Sequence, residues 1–192
     1  MFAQLDTKSV YSFMDSVVDL NSYVARAKEL GYQALGLMDR DNLYAAYHFA
    51  QLASRNGLRP LIGMEVNLFY EGRKIPFRLL AKNNQGYKNL MKLATELSSG
   101  QREFTAFSDY LNAIALILPS EDWEPGMTLG SEVFIGVRPE DAGKEFDYPI
   151  VPLHTVRYFE NADRSTIQML HAISQNVSLS EASICPMNQL LF

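Results

Sequence analysis

Two continuous apolar runs, Ala34-Leu-Gly-Leu-Met38 and Ala113-Ile-Ala-Leu-Ile-Leu118, constrain this chain more than any other feature. An unbroken apolar strand has no face to offer water, so it must be covered on both sides. Segments with helical spacing flank the first run. Asp19 predicts a capped helix with Leu20, Val24, Ala27 and Leu30 on one face, stopping at Gly31. After the first run come Asp39-Arg40-Asp41, then a helix capped by Asp41 or Asn42 with Leu43, Ala46, Tyr47, Ala50 and Ala53 inward, closed by Gly57. Pro60 to Leu68 is the next strand, which makes a βαβ unit with parallel strands.

Further along, residues 69–74 form a turn and Ile75 to Ala81 a returning strand, so a hairpin is expected. Asn83 or Asn84 opens a helix with Leu90, Leu93, Ala94 and Leu97 in one stripe, ending near Gly100; Lys88 and Lys92 share another, solvated face. Residues 104–111 read as a short helix or loop, and Pro119 ends the second apolar run. The stretch 120–130 is a loop in which Trp123 caps the core. Residues 132–137 and 149–153 are strands, with a helix start at Arg138-Pro139-Glu140 between them. Asp163 to Ser174 is a helix with Ile167, Leu170 and Ile173 as its stripe, and the tail from Gln175 is ill-defined. About seven strands alternating with helices point to a barrel-like α/β domain, with an open sheet as the alternative.

With 192 residues and no linker or repeat, one domain is expected. A net charge of −5 argues against a domain that grips DNA by itself, since phosphate binding needs a basic patch. No stretch of 18 apolar residues is present and no signal peptide precedes the first strand, so a membrane role is not expected. The single cysteine, Cys185, fits a reducing cytoplasm and is read as inert.

The opening segment carries the chemical question. Phe2 to Lys8 alternates apolar and polar, so Gln4, Asp6 and Lys8 share one face of a strand. Charged groups also gather at the predicted carboxyl ends of strands: Asp39 with Arg40, Glu65, and His154 with Arg157. One reading is a polynuclear metal site for phosphoester hydrolysis. The other is an internally neutralised network in which Lys8, Arg40 and Arg157 balance Asp6, Asp15, Asp39 and Glu65. Ligand chemistry favours the network, because lysine is a poor ligand and His48 and His171 lie inside predicted helices. Any metal would fall to Asp6, Asp39, Glu65 and His154. No phosphate-binding glycine loop, nucleophile elbow, C-x-x-C pair or polymerase carboxylate pair is present.

Residues 4–15, Ala34 to Tyr44 and Pro60 to Glu65 resemble the first three motifs of PHP (polymerase and histidinol phosphatase) domains. Leu79-Leu-Ala-Lys-Asn-Asn-Gln-Gly-Tyr-Lys-Asn-Leu-Met-Lys-Leu93 is similar to a segment of the alpha subunit of bacterial DNA polymerase III, DnaE type. Pro152 to Tyr158 resembles that family's late motif. The resemblance implies a distorted seven-stranded (β/α) TIM-like barrel. In metal-bearing members it implies a cluster of His, Asp and Glu that supports phosphoesterase or proofreading-type hydrolysis.

This chain has Gln4, Asp6 and Lys8 where the first motif would carry three histidines. It has Met38-Asp39-Arg40 for Thr-Asp-His, keeps Glu65, and shows Thr155 and Arg157 for the late Asp and His, with His154 displaced. A catalytically silent, metal-free scaffold for the polymerase core of the same chain is therefore expected. The alternative is a Mn²⁺- or Zn²⁺-dependent phosphoesterase or 3′–5′ exonuclease-like hydrolase with fewer ions. A third is a docking module for a separate proofreading exonuclease or other replisome subunit. Under all three, the palm, thumb and fingers, their Mg²⁺ and contact with DNA in replication belong to the longer DNA-directed DNA polymerase, a nucleotidyltransferase.

Overall fold

The structure is a computed structural model that describes residues 3–130, 132–141 and 143–182. The chain is mixed α/β and divides into two compact units, Met1–Leu61 with His154–Phe192, and Ile62–Leu153. Strand β4 (Arg59–Tyr70) runs from the first into the second.

In the first unit the opening segment is two short strands, β1 (Ala3–Gln4) and β2 (Asp6–Thr7), instead of the single strand its alternation predicts. β1 pairs in parallel with β3 (Ala34–Arg40), whereas β2 pairs in parallel with β9 (Thr155–Val156). The break falls at Leu5, whose carbonyl bends over Gly36 where no side chain stands in its way. β3 is two residues longer than its apolar run, so Asp39 and Arg40 lie in the strand and not beyond it. Buried polar partners allow this extension, as described below.

Helix α1 (Leu20–Glu29) starts as expected, with the Asp19 side chain accepting from the amides of Asn21 and Ser22. Tyr23, Val24 and Ala27 are buried, and Tyr23 stacks on Phe49 at 5.8 Å between ring centres. Helix α2 spans Ala46–Arg55 and has no side-chain cap. Asn42 caps the preceding turn instead, accepting from the Tyr44 amide, and Asp41 takes a left-handed φ of 56°. The inward residues of α2 are therefore Ala46, Phe49 and Ala53, while Tyr47 points to solvent. In α4 (Asp163–Gln175) Ile167 and Ala172 are buried and Ile173 is exposed, contrary to the expected stripe. Ile167 and His171 are one helical turn apart, and that is the side that faces inward. Cys185, expected to be inert, and the rest of the tail beyond 182 lie outside the described residues.

The second unit holds five strands in the order β4-β5-β6-β7-β8, with β5 Arg73–Ala81, β6 Ile114–Pro119, β7 Val133–Val137 and β8 Ile150–Pro152. The hairpin is present, β4 antiparallel to β5, around a two-residue turn at Glu71 and Gly72. Both turn residues have positive φ, 50° and 79°, which matches the right-handed twist of the flanking strands. β5 and β6 are antiparallel, while β6-β7 and β7-β8 are parallel. Helix α3 (Asn84–Ser98) is capped by Asn83 and buries Leu90, Leu93 and Leu97, with Lys88 and Lys92 exposed. Residues 104–110 form a 3-10 helix that buries Phe104 and Phe107. Arg138-Pro139-Glu140 opens only a single 3-10 turn, Pro139–Asp141. Trp123 is half-buried and meets Phe146 edge-on at 5.2 Å.

Candidate functional site

Three buried carboxylates in the first unit organise the site, each satisfied by a different kind of partner. Asp6 is an ion-pair centre. Lys8 Nζ lies 2.6 Å from Asp6 Oδ1, and both side chains have 0% exposure. Thr155 donates its hydroxyl to the other oxygen, Oδ2, at 2.7 Å, across the β2–β9 pairing that sets Asp6 opposite Thr155. Gln4 completes this corner by donating from Nε2 to the carbonyls of Asp6 at 3.0 Å and His154 at 2.6 Å. At positions 4, 6 and 8 the chain thus places an amide, a carboxylate and an ammonium side by side.

Asp39 is held by hydroxyl groups and an amide, not by a guanidinium. Ser9 donates its backbone N–H to Oδ1 and its hydroxyl to Oδ2, both at 2.7 Å, and Ser12 donates its hydroxyl to Oδ1 at 2.7 Å. Charge-assisted bonds of this kind are roughly twice as strong as neutral ones, which makes a buried aspartate tolerable without a formal counter-ion. They also bind residues 9–12 to β3.

Asp15 collects the remaining cations. Arg40 Nη2 sits 2.8 Å from Oδ2, Arg157 Nε donates to Oδ1 at 3.1 Å, and His171 Nε2 lies 3.3 Å from the same oxygen. In the same unit Tyr23 accepts from the Thr7 hydroxyl and donates to the Gly36 carbonyl, both at 2.9 Å. Burial pushes the Tyr23 phenol far above its ordinary range, so it acts only as a neutral hydrogen-bond relay.

The structure therefore brings Gln4, Asp6, Lys8, Asp15, Asp39, Arg40, Thr155, Arg157 and the His154 carbonyl into one unit. Glu65 lies in the second unit, where Arg78 Nη2 is 3.2 Å from its Oε2 and both are buried. Sequence reasoning missed Arg78, although the hairpin register pairs it with Glu65. It also missed Ser9 and Ser12 as carboxylate donors, and His171, which follows Ile167 by one helical turn.

A further buried carboxylate, Asp141, was not anticipated. Lys144 Nζ at 2.7 Å, the Ser120 hydroxyl at 2.6 Å and the Arg138 amide at 2.8 Å hold it well below the usual carboxylate range. A depressed folded-state value contributes stability above the ordinary 3.8, and that contribution is lost as pH falls below it. Acid unfolding of an Asp141→Asn variant should accordingly show a shallower loss of stability below about pH 4 than the parent chain. Parallel curves for the two proteins would show that Asp141 does not carry this dependence.

The geometry and the sequence motifs converge with the comparisons. A family model described as "PHP domain" matches residues 4–124, which take in the motifs at Asp6, Asp39 and Glu65. The chain belongs to the PHP domain family. This PHP domain is 45% identical over 193 aligned residues to the DNA polymerase III subunit alpha of Streptococcus pyogenes serotype M1, covering 100% of this chain and 19% of that one. It is 32% identical over 126 residues to the subunit of the same name from Bacillus subtilis (strain 168), covering 62% and 11% respectively. The chain therefore spans only a small part of the length of these relatives. Among solved structures, an amidohydrolase from Chromobacterium violaceum with bound SO4 and no metal shares 20% identity at a TM-score of 0.43, over 51% of this chain and 34% of that one. Among the described residues no helix is long and apolar enough to cross a membrane.

Proposed function

We propose that this PHP domain serves as a structural part of a DNA polymerase III alpha subunit in bacterial DNA replication, with its ancestral metal site converted into a metal-free ion-pair core. The observation that carries this reading is Lys8, whose buried ammonium stands 2.6 Å from Asp6. In metal-bearing members of the family the resemblance puts imidazoles at positions 4, 6 and 8; here an ammonium supplies the positive charge from within the chain. A cation bound beside Asp6 would have to displace or repel that ammonium. Asp39 has its oxygens engaged by Ser9 and Ser12, and Asp15 has two guanidiniums. Among the described residues no three His, Cys, Asp or Glu side chains form a group that could hold a metal ion. The residues present therefore do not fit a multi-ion hydrolytic centre. The domain sits in a longer polymerase chain under this reading, and DNA, Mg²⁺ and replisome partners belong to that chain.

The test is metal content. After incubation with Mn²⁺ or Zn²⁺ and removal of free ions, elemental analysis should find less than about a tenth of an equivalent bound, since a folded metal site retains near-stoichiometric ion. Stoichiometric metal, or metal-stimulated phosphoester hydrolysis that Glu65→Gln abolishes, would overturn the reading.

A further inference from the structure

Two short segments of the first unit carry large apolar side chains that face water. Phe13 is 82% exposed, Tyr44 79% and Tyr47 71%, and Val10 and Tyr11 are nearly half exposed. The segments are tied together by Asn42. Its Nδ2 donates to the Tyr11 carbonyl at 3.0 Å and the Arg40 carbonyl at 2.8 Å, and its Oδ1 accepts from the Tyr44 amide at 3.1 Å.

Residues 9–15 are also not a loose loop. Asp39 clamps Ser9 and Ser12, the Ser12 amide donates to the Ser9 carbonyl at 2.8 Å, and the Asp15 amide to the Ser12 carbonyl at 3.0 Å. Met14 is held at φ 61°. A left-handed non-glycine residue persists only where its surroundings impose it. The carboxylate that a metal-bearing relative would commit to an ion here fixes a rigid loop that presents Tyr11 and Phe13. Rigid aromatic side chains bind at low entropic cost, which is why they dominate the centres of protein interfaces.

We propose that residues 10–14 and 42–47 form the surface through which this PHP domain docks against an apolar face of the polymerase portion of the same chain. The proposal rests on the scaffold reading and names the surface that reading needs. Two observations select this occupant. The relative that matches the whole chain is far longer, the match covering 19% of it, so most of such a subunit lies outside the residues seen here. The patch also lacks the charge for nucleic acid. Residues 10–15 and 40–48 contain one guanidinium, Arg40, already paired with Asp15, against two aspartates. Single-strand binders combine aromatic platforms with a basic track for the phosphates, and no such track is present in these segments.

Hydroxyl-radical footprinting of a full-length alpha subunit that carries this domain tests the proposal, because it reads side-chain accessibility directly. Phe13, Tyr44 and Tyr47 should be oxidised several-fold more slowly than their exposure in this structure implies. A Phe13→Ser/Tyr44→Ser variant should raise oxidation of Tyr11 and Tyr47 several-fold, while Phe77, buried in the second unit, stays protected as a control for folding. Free oxidation of these rings in the full-length parent would overturn the proposal. So would protection that appears only on adding single-stranded oligothymidylate, or only as protein concentration rises, since those outcomes assign the patch to DNA or to a second copy. The scaffold reading is judged separately by metal stoichiometry, so the two can fail independently.

Discussion

Lys8→Met should lower the unfolding free energy by about 3–5 kcal/mol, the range seen when one partner of a buried ion pair is removed. Methionine keeps most of the volume and the unbranched stem of lysine, so little of the loss comes from a cavity. What it removes is the charge 2.6 Å from Asp6 Oδ1, at a place where neither side chain reaches water. The carboxylate then stays buried as an anion with Thr155 on its other oxygen, or takes up a proton at a free-energy cost. Removing both charges tests the cause. Asp6→Leu combined with Lys8→Met should recover most of the loss, since apolar pairs of similar volume replace buried ion pairs at little cost and sometimes with a gain. Urea titrations of the parent, the two single variants and the double variant close this cycle. A loss below about 1 kcal/mol in Lys8→Met, the worth of an exposed pair, would mean that water reaches the site. In a full-length alpha subunit the same substitution should shorten the half-life of polymerase activity at elevated temperature. If the domain were merely appended, activity would not follow its stability.

Which parts of this site could be read from the sequence follows from how local each partner is. Asp6 and Lys8 are two residues apart, with Lys8 just past the end of β2, so the local alternation of side chains is enough to put them together. Asp19 and Asn83 cap the helices that follow them for an equally local reason. Arg78 was within reach, because the Glu71-Gly72 turn sets Tyr70 opposite Arg73 and the ladder then sets Glu65 opposite Arg78. The partners of Asp39 and Asp15 were not legible in detail. Arg40 follows Asp39 directly, yet neighbours on a strand project to opposite faces, and the guanidinium reaches Asp15 instead. The serines that hold Asp39 are 30 and 27 positions away, and serine is so ordinary a residue that nothing in the pattern singles it out. α2 departs from expectation because Asn42 spends its side chain on a turn, which moves the first helical residue to Ala46 and turns Tyr47 outward.

Gly36→Ala should be the most damaging single methyl in the first unit, with a cost of about 3 kcal/mol, at the upper end for overpacking in a tight core. A Cβ there would stand 2.0 Å from the Leu5 carbonyl oxygen, 2.6 Å from its carbon and 2.9 Å from its Cα. All three atoms are backbone, so no side-chain rotation relieves the clash. Leu5 is also the joint at which the opening segment leaves β3 for β9, with Gln4 paired to Leu35 on one side and Asp6 to Thr155 on the other. Moving Leu5 outward strains both pairings and the Asp6 corner, and it disturbs the Gly36 carbonyl that accepts from Tyr23. Gly31→Ala supplies the contrast. There nothing lies within 4 Å of the new methyl, but φ is +75°, so the cost is conformational and should stay near 1 kcal/mol. Thermal or urea unfolding of the two variants ranks the effects. If Gly36→Ala cost no more than Gly31→Ala, the Leu5 carbonyl would be free to swing away. The break between β1 and β2 would then be a soft bend, too compliant to hold Asp6 against Lys8 as a fixed core.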